Sequence, residues 1–319
     1  MPGSSQMITA MDDSRQDEVL RQRVGKVHLQ QRLGIEQDYE RRVFGQGRNF
    51  FHIENWYSVH SVIRNGLRLF LLHGRGRRNA RDIRVCRNDV YLPDLPETFA
   101  GYSILQISDM HLDMAPDFPH ALIAAVRGVD YDLCVITGDF RANTFGPWEP
   151  AVDGMRQVRV QLRGDVYGIL GNHDTIRMVP ALEAMDIRML LNEQVVIRRG
   201  DDAIYLAGID DPHYYRADNL EKAADPIPEE AVSILLTHSP EIYRHAAHAD
   251  FDLLLCGHTH GGQLALPIIG TPFAPVRDHR YVHGLHPWQG RHLHTTSGVG
   301  NLHGLRLGCR PEVAILTLH

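Results

Sequence analysis

Five short apolar runs in this chain each stop on a cluster of Asp, Asn or His. Ile104-Leu105-Gln106-Ile107 leads into Ser108-Asp109-Met110-His111, and Leu133-Cys134-Val135-Ile136 into Thr137-Gly138-Asp139. Val166-Tyr167-Gly168-Ile169-Leu170 leads into Gly171-Asn172-His173-Asp174. Ile234-Leu235-Leu236 leads into Thr237-His238-Ser239-Pro240, and Leu253-Leu254-Leu255-Cys256 into Gly257-His258-Thr259-His260. Such runs read as β-strands. Further strands are predicted at residues 203–207, 292–297 and 313–318, and a helix over 119–127. Strands therefore alternate with helices from about residue 90 onward, which is an α/β pattern. Ligands of open α/β sheets collect at the carboxyl ends of strands, so chemistry is expected where these runs stop.

Asp, Asn and His supply oxygen and imidazole donors that suit manganese, iron or zinc. In D-x-H and H-x-H an extended backbone puts both outer side chains on one side. The glycine before Asp139, Asn172 and His258 allows a sharp turn and leaves room for metal and substrate. A lone histidine such as His238 is ordinarily a surface or core residue. Its place after a strand and before Pro240, between G-N-H-D and G-H-T-H, makes it a candidate ligand.

Taken in order, D-x-H, G-D, G-N-H-D, a single His and G-H-T-H resemble the signature of the calcineurin-like metallophosphoesterases, over about Asp109 to His260. Three further stretches are similar to one bacterial branch: Ile209-Asp210-Asp211-Pro212, Gly261-Gly262-Gln263, and Leu305-Arg306-Leu307-Gly308 before Arg310-Pro311-Glu312-Val313. That branch contains phosphodiesterases and UDP-2,3-diacylglucosamine pyrophosphate hydrolases. The resemblance implies a four-layer αββα sandwich and hydrolysis of a phosphodiester or pyrophosphate by in-line attack of a metal-bridging hydroxide. It implies a pair of divalent ions: one on Asp109, His111, Asp139 and His260, the other on Asp139, Asn172, His238 and His258, with Asp139 as bridge. His173 would be the catalytic residue that is not a ligand, and Asp174 the partner that orients it. A phosphomonoesterase, a membrane-surface hydrolase of a UDP-linked glycolipid and a non-enzymatic scaffold are the alternatives. The intact ligand set argues against the scaffold.

Other polar residues have bland readings. Asp210 and Asp211 are explained by a turn before Pro212. Arg141 suits either a phosphate contact or a salt bridge to a neighbouring loop. His303 and Arg306 could touch a phosphate, but surface usage is the simpler account.

The first 87 residues differ from the rest and are predicted to form a helical, basic extension to a catalytic domain at 88–319. Trp56, Val59, Ile63, Leu67 and Phe70 fall on one helical face. Between residues 60 and 90, eight Arg stand against Asp82 and Asp89, a net +6, which leaves −12 for the remainder of a chain of formal charge −6. A basic amphipathic stretch over residues 53–87 suits an anionic membrane surface; packing on the catalytic domain explains it equally. The overall acidic balance is not that of a general nucleic-acid binder. Cys86, Cys134, Cys256 and Cys309 form no C-x-x-C pair, and no apolar run approaches the roughly 20 residues of a membrane span. A cytoplasmic protein, peripheral at most, is expected. Oligomeric state is left open by the sequence.

Overall fold

The computed structural model describes residues 16–45, 73–115, 117–263, 265, 270–271, 274–300 and 306–319. The helix predicted around Trp56 to Phe70 and residue His303 lie outside the described residues. Among the described residues, no helix is long and apolar enough to cross a membrane.

Two six-stranded sheets face one another. The first runs β1 (Arg84–Val90), β12 (Glu312–Leu318), β2 (Ser103–Ile107), β3 (Leu133–Ile136), β4 (Val166–Gly168), β5 (Ile187–Met189). The second runs β10 (Gly284–Trp288), β11 (Arg291–Thr295), β9 (Leu253–Cys256), β8 (Ser233–Leu236), β7 (Asp202–Gly208), β6 (Glu193–Arg199). Strands β2 to β5 are parallel, as are β7, β8, β9 and β11. Their carboxyl ends therefore collect at one rim of each sheet. β12 lies between β1, which it pairs in parallel, and β2, which it pairs antiparallel.

Alternation along each strand builds three apolar layers. Ile104, Leu133, Val135 and Leu316 meet Leu206, Ile234, Leu236 and Leu255 between the sheets. Their neighbours Leu105, Ile107, Cys134 and Ile136 face outward from the first sheet. There they pack against α4 (Phe118–Val126), α5 (Glu149–Arg159) and α6 (Val179–Glu183) through Leu122, Met155 and Leu182. Leu235, Leu254 and Cys256 face outward from the second sheet, onto α7 (Leu220–Ala224) and α8 (Tyr243–His248) through Ala223, Tyr243 and Ala246. Helix, sheet, sheet and helix make the expected four layers. Each fully buried side chain of this size is worth roughly 1.5–3 kcal/mol, so strand positions are fixed at both faces.

The division read at residue 87 falls inside β1, whose whole length pairs with β12. The polar sequence RVCRNDV belongs to an edge strand with Arg84, Val85, Arg87 and Asp89 exposed, so it lacks the apolar run of a central strand. Before it stand α1 (residues 16–24), α2 (Lys26–Gly45) and α3 (His73–Asn79). Gly25, at φ 88°, bends the chain between α1 and α2 in a conformation that favours glycine. Leu20, Val24 and Leu29 on these helices enter the same core as β2 and β3. Residues 16–36 thus pack on the catalytic sheet. Among the described residues, the basic cluster retains Arg75, Arg77, Arg78, Arg81, Arg84 and Arg87, all exposed.

Candidate metal centre

Seven of the polar residues read from the strand ends converge at the rim: Asp109, His111, Asp139, Asn172, His238, His258 and His260, all buried. Donor atoms of Asp109, His111 and His260 lie within 4.8 Å of one another, as do those of Asp109, Asp139 and His238. His111 Nε2 is 3.2 Å from His260 Nε2, which is 3.5 Å from Asp109 Oδ1. His238 Nε2 is 3.2 Å from Asp139 Oδ2. The His258 ring lies against that of His238, centroids 5.1 Å apart. The carboxylate common to both clusters is Asp109, whereas the resemblance assigns the bridge to Asp139.

The backbone reaches this arrangement in an unexpected way. Asp109, His111, Asp139, His258 and His260 all have positive φ, between 46° and 68°. The D-x-H and H-x-H segments are not extended, and side-chain convergence comes from left-handed turns instead. Such conformations are costly for residues other than glycine and persist where the surroundings hold them. The bonds that hold them are visible. Asp109 N donates to Gly138 O and His111 N to Asp139 O, at 3.0 and 3.1 Å. The His258 amide donates to the Asp109 carboxylate at 3.1 Å.

Ring orientation is equally determined. Nδ1 of His111 lies 2.8 Å from Arg141 O, and Nδ1 of His238 lies 2.8 Å from Thr137 O. A carbonyl only accepts, so each Nδ1 carries the proton and each Nε2 is left to face the cluster. Asn172 Oδ1 is buried with no hydrogen-bond partner. A buried amide oxygen without a donor costs free energy, and a cation is the acceptor's natural complement.

The electrostatics agree. Burial pushes Asp109 up to about 6, with the charge of Asp139 adding to it. Burial alone would raise Asp139 too, but His238 and His173 beside it hold it well below the usual carboxylate range. Burial would lower His238, but Asp139 and Asp109 push it up to about 10. His111, shut away from water, falls to about 4. These carboxylates lean on any positive charge within reach, and the donor set of two Asp, one Asn and four His fits divalent cations.

His173 stands beside the cluster, Nε2 3.9 Å from Asp139 Oδ2 and Nδ1 3.1 Å from Thr144 Oγ1. Asp174 does not take the orienting role expected of it. Its two oxygens accept from four backbone amides: Asp139 (2.8 Å) and Gly171 (2.9 Å) at Oδ2, Phe140 (2.9 Å) and Arg141 (3.3 Å) at Oδ1. The carboxylate thus ties the G-N-H-D turn to the G-D turn. One partner of the His173 ring is Thr144, which no motif marks.

Two arginines are also reassigned. Arg141 donates to the carbonyls of His173, Thr144 and Gly146, and so clamps the loop that follows Asp139 to the G-N-H-D turn. Arg306 is fully buried and donates to the carbonyls of His260, Ser297, Gly298 and Gly300, which excludes the surface reading. Asp211 accepts from the amides of Tyr214 and Tyr215, which closes a turn running through Pro212 and not one that precedes it. Asp210 does more: it lies 2.8 Å from His28 Nε2 and 3.5 Å from Arg32 Nε, both on α2. Beside the centre, between α2 and the loop after Asp139, is a cavity of about 480 Å³ whose lining includes Gln30, Leu33, Thr144, Trp148 and Arg177.

Known proteins match this chain at both levels. The profile described as calcineurin-like phosphoesterase matches residues 102–262. Phosphodiesterase YaeI of Escherichia coli (strain K12) is 32% identical over 232 residues, covering 69% of this chain and 83% of that protein. An uncharacterized metallophosphoesterase of Bacillus subtilis, YkoQ, is 27% identical over 254 residues, covering 75% and 92%. UDP-2,3-diacylglucosamine pyrophosphatase LpxG of Chlamydia trachomatis is 24% identical over 289 residues, covering 70% and 86%.

Proposed function

This chain belongs to the calcineurin-like phosphoesterase family, and from that premise we propose that it cleaves a phosphodiester or pyrophosphate bond with two divalent cations. As a member it is a metal-dependent phosphoester hydrolase. The observation that carries the finer reading is the unpartnered Asn172 Oδ1 within a buried set of two Asp and four His. Asp109, His111, Asp139 and His260 would hold one cation, and Asp139, Asn172, His238 and His258 the other. Bound there, the pair supplies positive charge that draws in phosphate oxygens and lowers the pKa of water. Manganese, iron and zinc all suit these donors. His173, its Nδ1 held by Thr144, is proposed to give a proton to the leaving oxygen from Nε2. The cavity flanked by Trp148 and α2 has room for the leaving group.

Hydrolysis of bis-p-nitrophenyl phosphate by protein stripped of metal and resupplied with manganese tests this reading. Manganese-dependent turnover is expected, lost in Asp139→Asn together with both ions. Strong turnover of p-nitrophenyl phosphate with none of the diester would turn the assignment to a phosphomonoesterase. Full metal content and full rate in Asp139→Asn would refute the bridge, and Asp109→Asn would then be the variant to lose both ions.

One observation favours a substrate at a membrane surface. Arg75, Arg77, Arg78, Arg81, Arg84 and Arg87 are exposed along α3, the turn after it and the edge strand β1. The name of the Chlamydia relative gives a UDP-linked diacylglucosamine as its substrate, and the same lipid class is the first to try here. Sedimentation with vesicles containing anionic phospholipid, lost when these arginines are replaced by glutamine, is the expected result. Binding that ignores the replacement removes the basis for this reading.

A further inference from the structure

The G-N-H-D turn carries Asn172 and His173, and it is gripped from two directions. From within, the Asp174 carboxylate ties it to the amides of residues 139–141. From outside, the grip comes from α2. Arg32 Nη2 donates to Asp174 O at 2.9 Å. Glu36 Oε2 accepts from Thr175 Oγ1 at 2.6 Å and Oε1 from the Ile176 amide at 3.0 Å. Three consecutive residues after His173 are therefore bonded to one helix that is about 140 positions away in sequence.

Arg32 is a built-in feature of this contact. Its side chain is fully buried. The guanidinium carbon sits 3.4 Å over the Tyr215 ring centroid, and Nε lies 3.5 Å from Asp210 and 3.6 Å from Glu36. His28, one turn earlier, meets Asp210 at 2.8 Å. His28, Arg32 and Glu36 are spaced by four, so they form one stripe along α2. The charge of this buried guanidinium is balanced by Asp210, just after β7, and by Glu36, and Nη2 is met by the Asp174 carbonyl, while Nε and Nη1 have no hydrogen-bond partner among the described residues.

We propose that α2 completes the active site, with Arg32 and Glu36 as positioning residues that set where Asn172 and His173 stand. The proposal rests on the phosphoesterase reading only for its effect on rate. Misplacing a reacting group by about 1 Å can cost on the order of 100-fold in rate. Release of α2 would let the turn relax without removing a single ligand or proton donor.

A nearby anchor provides the control. Arg23 on α1 binds Glu183, Glu193 and the Met189 carbonyl, and so fastens the same helical pair to the sheet without touching the turn. The test uses the full chain with Glu36→Ala, Arg32→Ala, Arg32→Lys and Arg23→Ala. Two quantities are read: amide hydrogen exchange of residues 171–178 with no metal added, and kcat and KM on bis-p-nitrophenyl phosphate with manganese. Glu36→Ala is expected to speed exchange in 171–178 by ~10-fold or more, and to leave 133–137 unchanged. It is expected to lower kcat by ~10-fold, with KM within about two-fold. Arg32→Ala is expected to lose ~100-fold in kcat, recovered in part by added guanidinium. Arg32→Lys would not recover it, since a point charge does not reproduce the planar fork. Arg23→Ala should leave kcat and exchange in 171–178 as in the wild type.

Unchanged exchange in 171–178 for Glu36→Ala overturns the proposal. So does a fall in kcat that Arg23→Ala shares equally. If Arg32→Ala does not fold, Glu36→Ala, a half-buried surface position, decides alone. If the wild type hydrolyses nothing, the phosphoesterase reading has failed, and the exchange data still decide whether α2 holds the turn.

Discussion

Replacement of Asp174 by asparagine separates a structural clamp from a catalytic partner. In the wild type each carboxylate oxygen accepts from two backbone amides. In Asp174→Asn one of these oxygens becomes an NH2, which meets two N–H donors with a donor. The amide would turn so that its oxygen keeps the tighter pair, Asp139 and Gly171 at 2.8 and 2.9 Å, and abandons Phe140 and Arg141 at 2.9 and 3.3 Å. Hydrogen bonds to a charged group contribute about 1.5–3 kcal/mol each, and the longer one falls at the low end. The loss is then about 3–5 kcal/mol. Part is returned because the neutral amide is cheaper to bury than a carboxylate whose pKa burial and Asp139 push up to about 6. A net of ~3 kcal/mol corresponds to a fall in melting temperature of about 6–12 °C for a catalytic unit of this size. Thermal unfolding of the protein without added metal, followed by circular dichroism, reads this directly. If Asp174 served instead to orient His173, the same variant would keep its melting temperature and lose only turnover. A shift under about 2 °C would therefore refute the clamp.

Three further outcomes follow from the site and its supports. His173→Ala should retain both metals, measured by elemental analysis, and lose ~10²–10⁴-fold in kcat on the diester; loss of metal would make it a ligand instead. In Gly257→Ala the new Cβ would stand 2.8 Å from Ser108 Cβ and collide with the Asp109 carboxylate, so folded protein with much weaker manganese binding is expected by calorimetry. Wild-type affinity there would mean the two turns can part freely. Glu312 accepts from His283, Thr296 and Ser297; burial alone would raise its pKa, but the His283 partner brings it down to about 2. Its folded pKa is depressed, so its stabilisation is present above the unfolded value of 4.5 and lost as pH falls toward 2. Glu312→Gln should be less stable at pH 7 by on the order of 3 kcal/mol, with a flatter stability curve between pH 5 and pH 2. Parallel urea-unfolding curves for the two proteins over that range would contradict the assignment.

The central strands were legible because they are buried on both faces and must be apolar throughout: β2, β3, β8 and β9 all appear as runs. The strands that escaped are edges or short. β1 carries RVCRNDV at the rim of its sheet, β10 carries GLHPW, and β5 has three residues. Exposure or brevity removes the run on which recognition depends. At the site, the convergence of seven donors was legible because each follows a strand directly. The left-handed backbone of five of them was not, since Asp and His adopt positive φ more often than most residues but still in only a small minority of cases. The roles of Asp174, Arg141 and Arg306 also escaped. Each depends on which carbonyl or amide lies opposite after folding, and the side chain alone does not say. The stripe of His28, Arg32 and Glu36 escaped as well, because its target, residues 174–176 and Asp210, is set by tertiary packing.

The place of β12 between β1 and β2 bears on how the chain is made. Residues 84–107 leave the ribosome more than 200 positions before Glu312–Leu318, the strand that joins their two edges. At bacterial-like elongation rates of 5–20 residues per second, that gap lasts about 10–40 s. Through it, β2 can recruit β3 but keeps one edge bare, and β1 has no neighbour in its sheet at all. The polar, arginine-rich composition of β1 then has a use during synthesis: a strand that waits that long for its partner is safest if it is charged.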